Sequence, residues 1–500
     1  MRQFARQRAC CRKEAGVAVA TNAELTYTVI EFPKESARPL LSGFKRQEIL
    51  KGSPRTRPRR TALVTTTPEA RSALSHPPAE VVEQALDSQL KSTNTAASSG
   101  GNHHSHESNN AAKKAETSKE VTKVKSTGQG LFTVWHGLTF GGLLQLMAKR
   151  PPMHYSRALR LVSLFFICPF NSFYSIVSGL IYGRKIQKTQ VTKPPIFILG
   201  HWRSGTTLLH NLMTLDSQFT YPNLYQVMYP QHFLLTESVI SKLAAPFLPK
   251  TRPMDNMPAG WKLPQEDEVA LLVETQLSPY LMVAFPNERK YYSHTFDVRH
   301  MSPGDQAKWK RSLVNFVKKL TVRADKPIVM KSPSHTYRVA TLLELFPDAR
   351  FVYIHRDPYA VFSSSLHLRR TMYMENSFIE PTEENLYQDT LETLDTCLKT
   401  YEETRHMIPE KNLVEIRYTD LEAHPVEQMQ RVYETLGFEG WERMRPIFER
   451  EAQAMSEYKK NRFIMDDETR QMIYSRLKDF FDKYGYDPQV GVAENGSKSS

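Results

Sequence analysis

Pro194-Pro-Ile-Phe-Ile-Leu-Gly-His-Trp-Arg-Ser-Gly-Thr-Thr-Leu-Leu-His210 is the stretch from which the rest of the chain can be read. Ile196 to Leu199 predict a short buried strand, Gly200 to Gly205 a small-residue turn, and the residues from about Thr206 a helix. Where a strand feeds a helix through such a turn, backbone N–H groups converge on one spot. The helix dipole adds positive potential there, and the natural occupant is a phosphate. Arg203 contributes a fixed charge, while Ser204, Gly205, Thr206 and Thr207 form the cradle, their hydroxyls acting as further donors. Small and hydroxyl residues at such a turn also cap helices, but capping does not call for an arginine. The spacing from Gly200 to Gly205 is that of a nucleotide-binding P-loop, yet Thr206 stands where the phosphate-binding lysine belongs. The positive charge has moved into the turn, which counts against ATP hydrolysis.

Working outward from this loop, strand-like runs recur at Ile328 to Met330, Phe351 to His355 and Leu413 to Ile416. Between them lie helical patterns at Leu208 to Leu215, Tyr337 to Phe346 and Val426 to Leu436, the last closed by Gly437. Strands that alternate with helices predict an α/β fold, a P-loop-like parallel sheet flanked by helices.

The segment Gly200-His-Trp-Arg-Ser-Gly-Thr-Thr resembles the 5′-phosphosulfate loop of the sulfotransferases that use 3′-phosphoadenosine 5′-phosphosulfate. Its Arg-Ser-Gly-Thr-Thr form is similar to the bacterial-type branch rather than the phenol-type branch, whose loop carries lysine. A partner motif is present. Arg350-Phe-Val-Tyr-Ile-His-Arg-Asp-Pro resembles the 3′-phosphate element, in which a strand-end arginine, here Arg356, is followed eight residues later by a helical serine, here Ser364. Arginine grips a phosphate bidentately and the hydroxyl closes the other side. The bland reading of Arg356-Asp-Pro is a helix-starting turn with a local ion pair. The resemblance further implies Lys331 near the bridging oxygen of the donor and Tyr418 beside the adenine. Tyr458-Lys-Lys-Asn-Arg-Phe resembles a loop that covers the donor, but the Arg-Lys-Gly triplet of the phenol-type branch is absent, and Lys459, Lys460 and Arg462 stay unassigned. The likeness extends over residues 190 to 485, and the fold it implies is the sulfotransferase fold.

Sulfuryl transfer moves a planar group in line between two oxygens, so catalysis is expected to be positioning and electrostatics. Arg203 and Lys331 are assigned to the charge on the leaving phosphate. The donor carries a good leaving group, so no metal is expected. The acceptor hydroxyl needs a base. His335 is the nearest imidazole to Lys331, and Glu266 or Asp267 in Gln265-Glu-Asp-Glu is the carboxylate route; His335 ranks slightly ahead of Glu266. Helix N-terminal charge preference is the competing account of the acidic cluster, and capping or core packing that of His335.

A net charge of +13 admits nucleic acid, an anionic membrane or a phosphorylated ligand, and no nucleic-acid motif accompanies it. Cys10, Cys11, Cys168 and Cys397 suit neither a disulfide framework nor a zinc site, so a reducing compartment is the simpler reading. Residues 1–127 read as low-complexity and mostly disordered, with basic residues in the first dozen that suit an ordinary basic tail at least as well as the organelle transit peptide they resemble. Residues 128–190 read as a hydrophobic, membrane-proximal helical segment, 191–485 as the catalytic domain and 486–500 as a tail. Within the second of these, Leu131 to Met147 is helical in pattern. Leu161 to Tyr182 is uncharged and flanked by Arg157, Arg160, Arg184, Lys185 and Lys188. It has the length of a bilayer span, but Pro169, Asn171 and its serines weaken that reading, leaving a span, an interfacial helix or a core helix open. The expected acceptor is a small molecule or lipid, a lipophilic alcohol at an anionic membrane; a glycan or a phenol is the alternative. A nucleotide-dependent kinase and a non-catalytic membrane scaffold are the rival classes.

Overall fold

A computed structural model describes residues 133–248, 259–379, 381–455 and 465–488. The low-complexity stretch at 1–127, the basic segment at 458–463 and most of the tail lie outside the described residues. Four parallel strands make the sheet: β1 (Ile196–Leu199), β2 (Val329–Lys331), β3 (Arg350–His355) and β4 (Leu413–Arg417), in the order β2-β1-β3-β4. The register pairs Ile198 with Lys331 and with Val352, so β1 is central and its end faces the ends of both neighbours. β2 starts one residue later than its apolar run suggested; Ile328 is instead bridged to Thr220.

The described helices are α1 (Phe140–Ala148), α2 (Ala158–Lys188), α3 (Thr206–Thr214), α4 (Leu224–Met228), α5 (Phe233–Leu243), α6 (Glu268–Thr275) and α7 (Pro303–Arg323). They continue with α8 (Val339–Leu345), α9 (Pro358–Asn376), α10 (Glu383–Thr404), α11 (Tyr418–Ala423), α12 (Pro425–Leu436), α13 (Trp441–Met455) and α14 (Asp467–Tyr484). Side chains alternate across the sheet as strand geometry requires. Phe197, Leu199, Phe351 and Tyr353 pack under α7 with Trp309, Leu313 and Phe316. Ile196, Ile198, Val352 and Ile354 pack on the other face against Leu209 of α3 and Met429 and Val432 of α12. Both faces are covered, and the strand ends form the cleft.

Two local expectations change. The pattern from Leu131 to Met147 is broken into a short 3₁₀ turn, Val134–Gly137, and α1, whose first turn is capped by Thr139 Oγ1 accepting from Gly142 N at 3.1 Å. Gly137 sits so close to Met228 that a Cβ there would lie 2.2 Å from its carbonyl oxygen. The basic residues at the start of α2 turn inward: Arg157 and Arg160 are buried, and Arg160 Nη1 donates to the carbonyl of Ser377 at 2.8 Å. Gly437 closes α12 in the left-handed region, as its position predicted.

Candidate functional site

The turn between β1 and α3 is held open by three positive φ angles, at Gly200 (142°), Arg203 (69°) and Gly205 (105°). Two of these positions require glycine for a second reason. A Cβ on Gly200 would meet Ile354 O at 2.5 Å, and one on Gly205 would meet the Tyr418 ring at 2.4 Å. Thr336 fixes the start of the turn, its Oγ1 accepting from Gly200 N at 2.8 Å. Ser204 Oγ donates to His201 O at 2.7 Å. No side chain caps the first turn of α3, so its N–H groups face the cleft, an arrangement that fits an anion.

Arg203 is the one non-glycine in the left-handed region of this turn, and its Nε donates to Ser364 Oγ on α9 at 2.8 Å. Arg356, at the end of β3, donates to the Arg203 carbonyl at 3.3 Å and stacks its guanidinium 4.2 Å over the Tyr418 ring. Arg203, Ser364, Arg356 and Tyr418, drawn from four separate elements, are thus brought into one cluster. The bland reading of Arg356-Asp-Pro holds in part, because Asp357 caps α9 by accepting from Tyr359 N and Ala360 N at 3.2 and 3.0 Å. A small cavity behind the turn is lined by His201, Ser204, His355 and Arg356. Burial holds both imidazoles down to about 3, so neither ring adds positive charge to a site whose cations are Arg203, Lys331 and Arg356.

Asp267 stands at the N-cap of α6 and Glu268 in its first turn, where acidic residues are favoured, but the Asp267 side chain makes no capping hydrogen bond. The three carboxylates of the acidic cluster take three different partners from β2 and the turn after it. Glu266 Oε1 accepts from Lys331 Nζ at 2.7 Å, Asp267 Oδ2 lies 2.6 Å from His335 Nε2, and Glu268 is paired by Arg338 at 2.5 Å. The Glu266 side chain keeps 17% of its surface and Lys331 2%, whereas His335 and Asp267 have none. Of the candidates for the base, Glu266 is thus the one with side-chain surface left, and His335 and Asp267 are sealed. His335 is edge-on to Phe197 in the core, where an acceptor hydroxyl has no access.

Sequence reasoning missed the second partner of Glu266. Tyr280 donates its hydroxyl to Glu266 Oε2 and accepts from Trp202 Nε1 at 3.0 Å. Burial, reinforced by the Glu266 charge, pushes the Tyr280 hydroxyl well above its ordinary range, so it stays a donor. Trp202 lies inside the quoted turn, but nothing around Tyr280 in sequence marks it. Among the described residues no group of three or more His, Cys, Asp or Glu is placed to hold a metal ion.

A strand-turn-helix cradle with an arginine in the turn and a second arginine at the neighbouring strand end fits an anionic group. The sulfotransferase family model matches residues 194–443, which carry all of these elements. The chain belongs to the sulfotransferase family, and it is an enzyme of that class. It is 34% identical over 359 residues to the omega-hydroxy-beta-dihydromenaquinone-9 sulfotransferases Stf3 of Mycobacterium tuberculosis and Mycobacterium bovis, covering 71% of this chain and 91% of theirs. Among solved structures, sulfotransferase STF9 from Mycobacterium avium aligns over 69% of this chain and 96% of its own, with 16% identity and a TM-score of 0.49. Sulfotransferase STF1 from Mycobacterium tuberculosis aligns over 67% of this chain and 90% of its own, with 17% identity and a TM-score of 0.43.

Proposed function

We propose that this protein transfers a sulfuryl group from 3′-phosphoadenosine 5′-phosphosulfate to the hydroxyl of a lipophilic alcohol at a membrane. The observation that carries the donor is the convergence of Arg203, Ser364, Arg356 and Tyr418 on the open turn before α3. In this reading the N–H groups and hydroxyls of Ser204, Gly205, Thr206 and Thr207 hold the 5′-phosphosulfate. Arg356 and Ser364 hold the 3′-phosphate, and Tyr418 flanks the adenine. Arg203 and Lys331 neutralise charge on the leaving phosphate oxygen, and in-line transfer needs nothing further from the protein at that oxygen.

Glu266 is the general base. It alone of the three sequence candidates keeps exposed side-chain surface, and it is oriented by Lys331 on one oxygen and Tyr280 on the other. Tyr280 and Trp202 are positioning residues: through them the donor turn and the base are one hydrogen-bonded unit. A lipophilic acceptor is supported by the relatives named for a hydroxylated menaquinone and by the apolar helix beside the catalytic body. The test is a thermal-shift comparison of adenosine 3′,5′-bisphosphate with ATP plus Mg²⁺, followed by mass-spectrometric screening of alcohols with the donor supplied. Stabilisation by the bisphosphate and sulfation of long-chain alcohols are expected. Stabilisation by ATP alone, or sulfation confined to soluble glycans or phenols, defeats the reading.

A further inference from the structure

α2 is amphipathic in the reverse sense of a core helix. Its inward stripe, at helical spacing, includes Arg160, Leu164, Cys168, Asn171, Ser178 and Ile186. Its outward stripe is Leu159, Val162, Phe166, Phe170, Phe173 and Leu180, with Phe166 69%, Phe170 63% and Leu180 82% exposed. Only 22% of its most apolar stretch is buried. The inward polar groups bond to the folded chain on that side, Arg160 to the Ser377 carbonyl and Asn171 and Ser163 to the turn before α1. Asn171 Nδ2 donates to the carbonyls of His136 and Leu138 at 2.8 Å each, and Ser163 Oγ lies 3.0 Å from His136 Nε2. α1 extends the outward face: Phe140 N donates to Ser172 Oγ at 2.8 Å, its ring meets Phe165 edge-on, and Leu144 beside it is half exposed. A continuous apolar surface of this kind on a folded chain marks a docking face rather than scattered exposure.

The polar docking also decides how that face can meet a bilayer. From Leu159 to Ile181 the apolar face is about 33 Å long, enough to cross the hydrocarbon. But α2 packs against α5 and α7, and α7 carries Lys308, Lys310, Arg311, Lys318, Lys319 and Arg323. A transbilayer pose would drag that helix into lipid. Charge selects the kind of lipid. From Thr133 to Lys193 there is no Asp or Glu, and Arg184, Lys185 and Lys188 stand exposed at the end of α2.

We propose that the outward face of α1 and α2 is an in-plane seat on an anionic phospholipid bilayer. Phe166, Phe170, Phe173 and Leu180 enter the acyl boundary, and Arg184, Lys185 and Lys188 lie among the headgroups. The seat deepens the membrane reading above and rests on it. It also orients the enzyme: Leu143, Leu146, Leu164 and Cys168 under the seat share one apolar cluster with Trp202 and Tyr280 of the site.

The experiment is flotation of the full chain with phosphatidylcholine vesicles, with and without phosphatidylserine, comparing wild type with Phe166→Glu/Leu180→Glu and with Arg184→Glu/Lys185→Glu. The first variant is expected to lose about tenfold in partitioning to both vesicles while still binding adenosine 3′,5′-bisphosphate; the second loses only the preference for phosphatidylserine. Alkaline carbonate should release the wild type. A wild type that ignores both vesicles sinks the membrane reading and the seat together. A wild type that floats, with a charged variant that floats equally well, sinks the seat alone. Resistance to carbonate means that α2 spans, and a concentration-dependent dimer abolished by the first variant, with no lipid binding, means that the face covers a second copy.

Discussion

Glu266→Gln separates the base from everything around it. The carboxylate presents two oxygens to two donors, Lys331 Nζ at 2.7 Å and the Tyr280 hydroxyl. Glutamine has nearly the same shape but one oxygen and one NH₂, so one of those donors must face another donor. If it is Lys331, with 2% of its side chain exposed, the cost approaches the about 3–5 kcal/mol of a broken buried ion pair. If it is Tyr280, the cost is about 1–3 kcal/mol. Glutamine is expected to point its oxygen at the lysine, so the smaller figure applies and the protein stays folded. Turnover should nonetheless fall by about 10²–10⁴, the usual contribution of a general base. The affinity for adenosine 3′,5′-bisphosphate should hold or rise, because Lys331 is released from a charged competitor. Single-turnover mass spectrometry, calorimetry and thermal melts give the three readouts. His335→Asn is the control: it opens a buried pair with Asp267, so stability should fall while turnover per folded molecule changes by no more than a few-fold. A folded Glu266→Gln protein with more than a third of wild-type turnover refutes the assignment, as does a stable but inactive His335→Asn protein.

Arg356→Ala should weaken adenosine 3′,5′-bisphosphate by about ten- to a hundredfold in calorimetry and adenosine 5′-phosphate far less, since charge-assisted bonds are worth about 1.5–3 kcal/mol; equal losses would remove Arg356 from the 3′-phosphate. Gly205→Ala places a methyl 2.4 Å from Tyr418 at a φ of 105°, so nucleotide affinity should drop with about 1–3 kcal/mol of backbone strain while the fold persists; unchanged affinity would show that the ring can move aside freely. Arg203→Ala should cut turnover by about 10²–10³ through loss of leaving-group stabilisation, measured at saturating donor; more than half of wild-type turnover contradicts its role. Burial holds His201 and His355 at about 3 and His232 at about 4, below the unfolded value of 6.5, so the unfolded chain binds more protons as pH falls. Stability contributed by keeping them neutral is complete above pH 6.5 and is lost progressively down to about pH 3–4, by up to about 1.4 kcal/mol per pH unit for each ring. Denaturant melts at several pH values should show that slope, and His232→Gln should flatten it.

The strands and the turn before α3 were legible because their signals are local: apolar runs, glycines at forced φ angles and an arginine within one turn. The partner segments at Arg356 and Tyr418 were legible only by resemblance. What sequence could not rank was direction. Glu266, Asp267 and Glu268 are adjacent and chemically alike, yet one keeps exposed surface and two are sealed in the core, a difference set by where β2 and the turn after it lie. Arg157 and Arg160 looked like a membrane flank and are turned into the body, because the helix they start presents its polar stripe inward. Tyr280 had no local signal, since its role arises from Trp202 and Glu266 meeting it across the fold.

The ladder of Glu266, Asp267 and Glu268 onto Lys331, His335 and Arg338 has a consequence for engineering and for evolution. The two segments are keyed to each other like teeth of matched gears, and a slip of one residue would offer the base to His335 and strand Lys331 without a counter-charge. Chimeras that exchange residues 265–268 with a relative must therefore carry 331–338 along, or neither will seat. New acceptor ranges are to be sought in the segments that border the cleft without entering this pairing, where insertions leave the meshed register undisturbed.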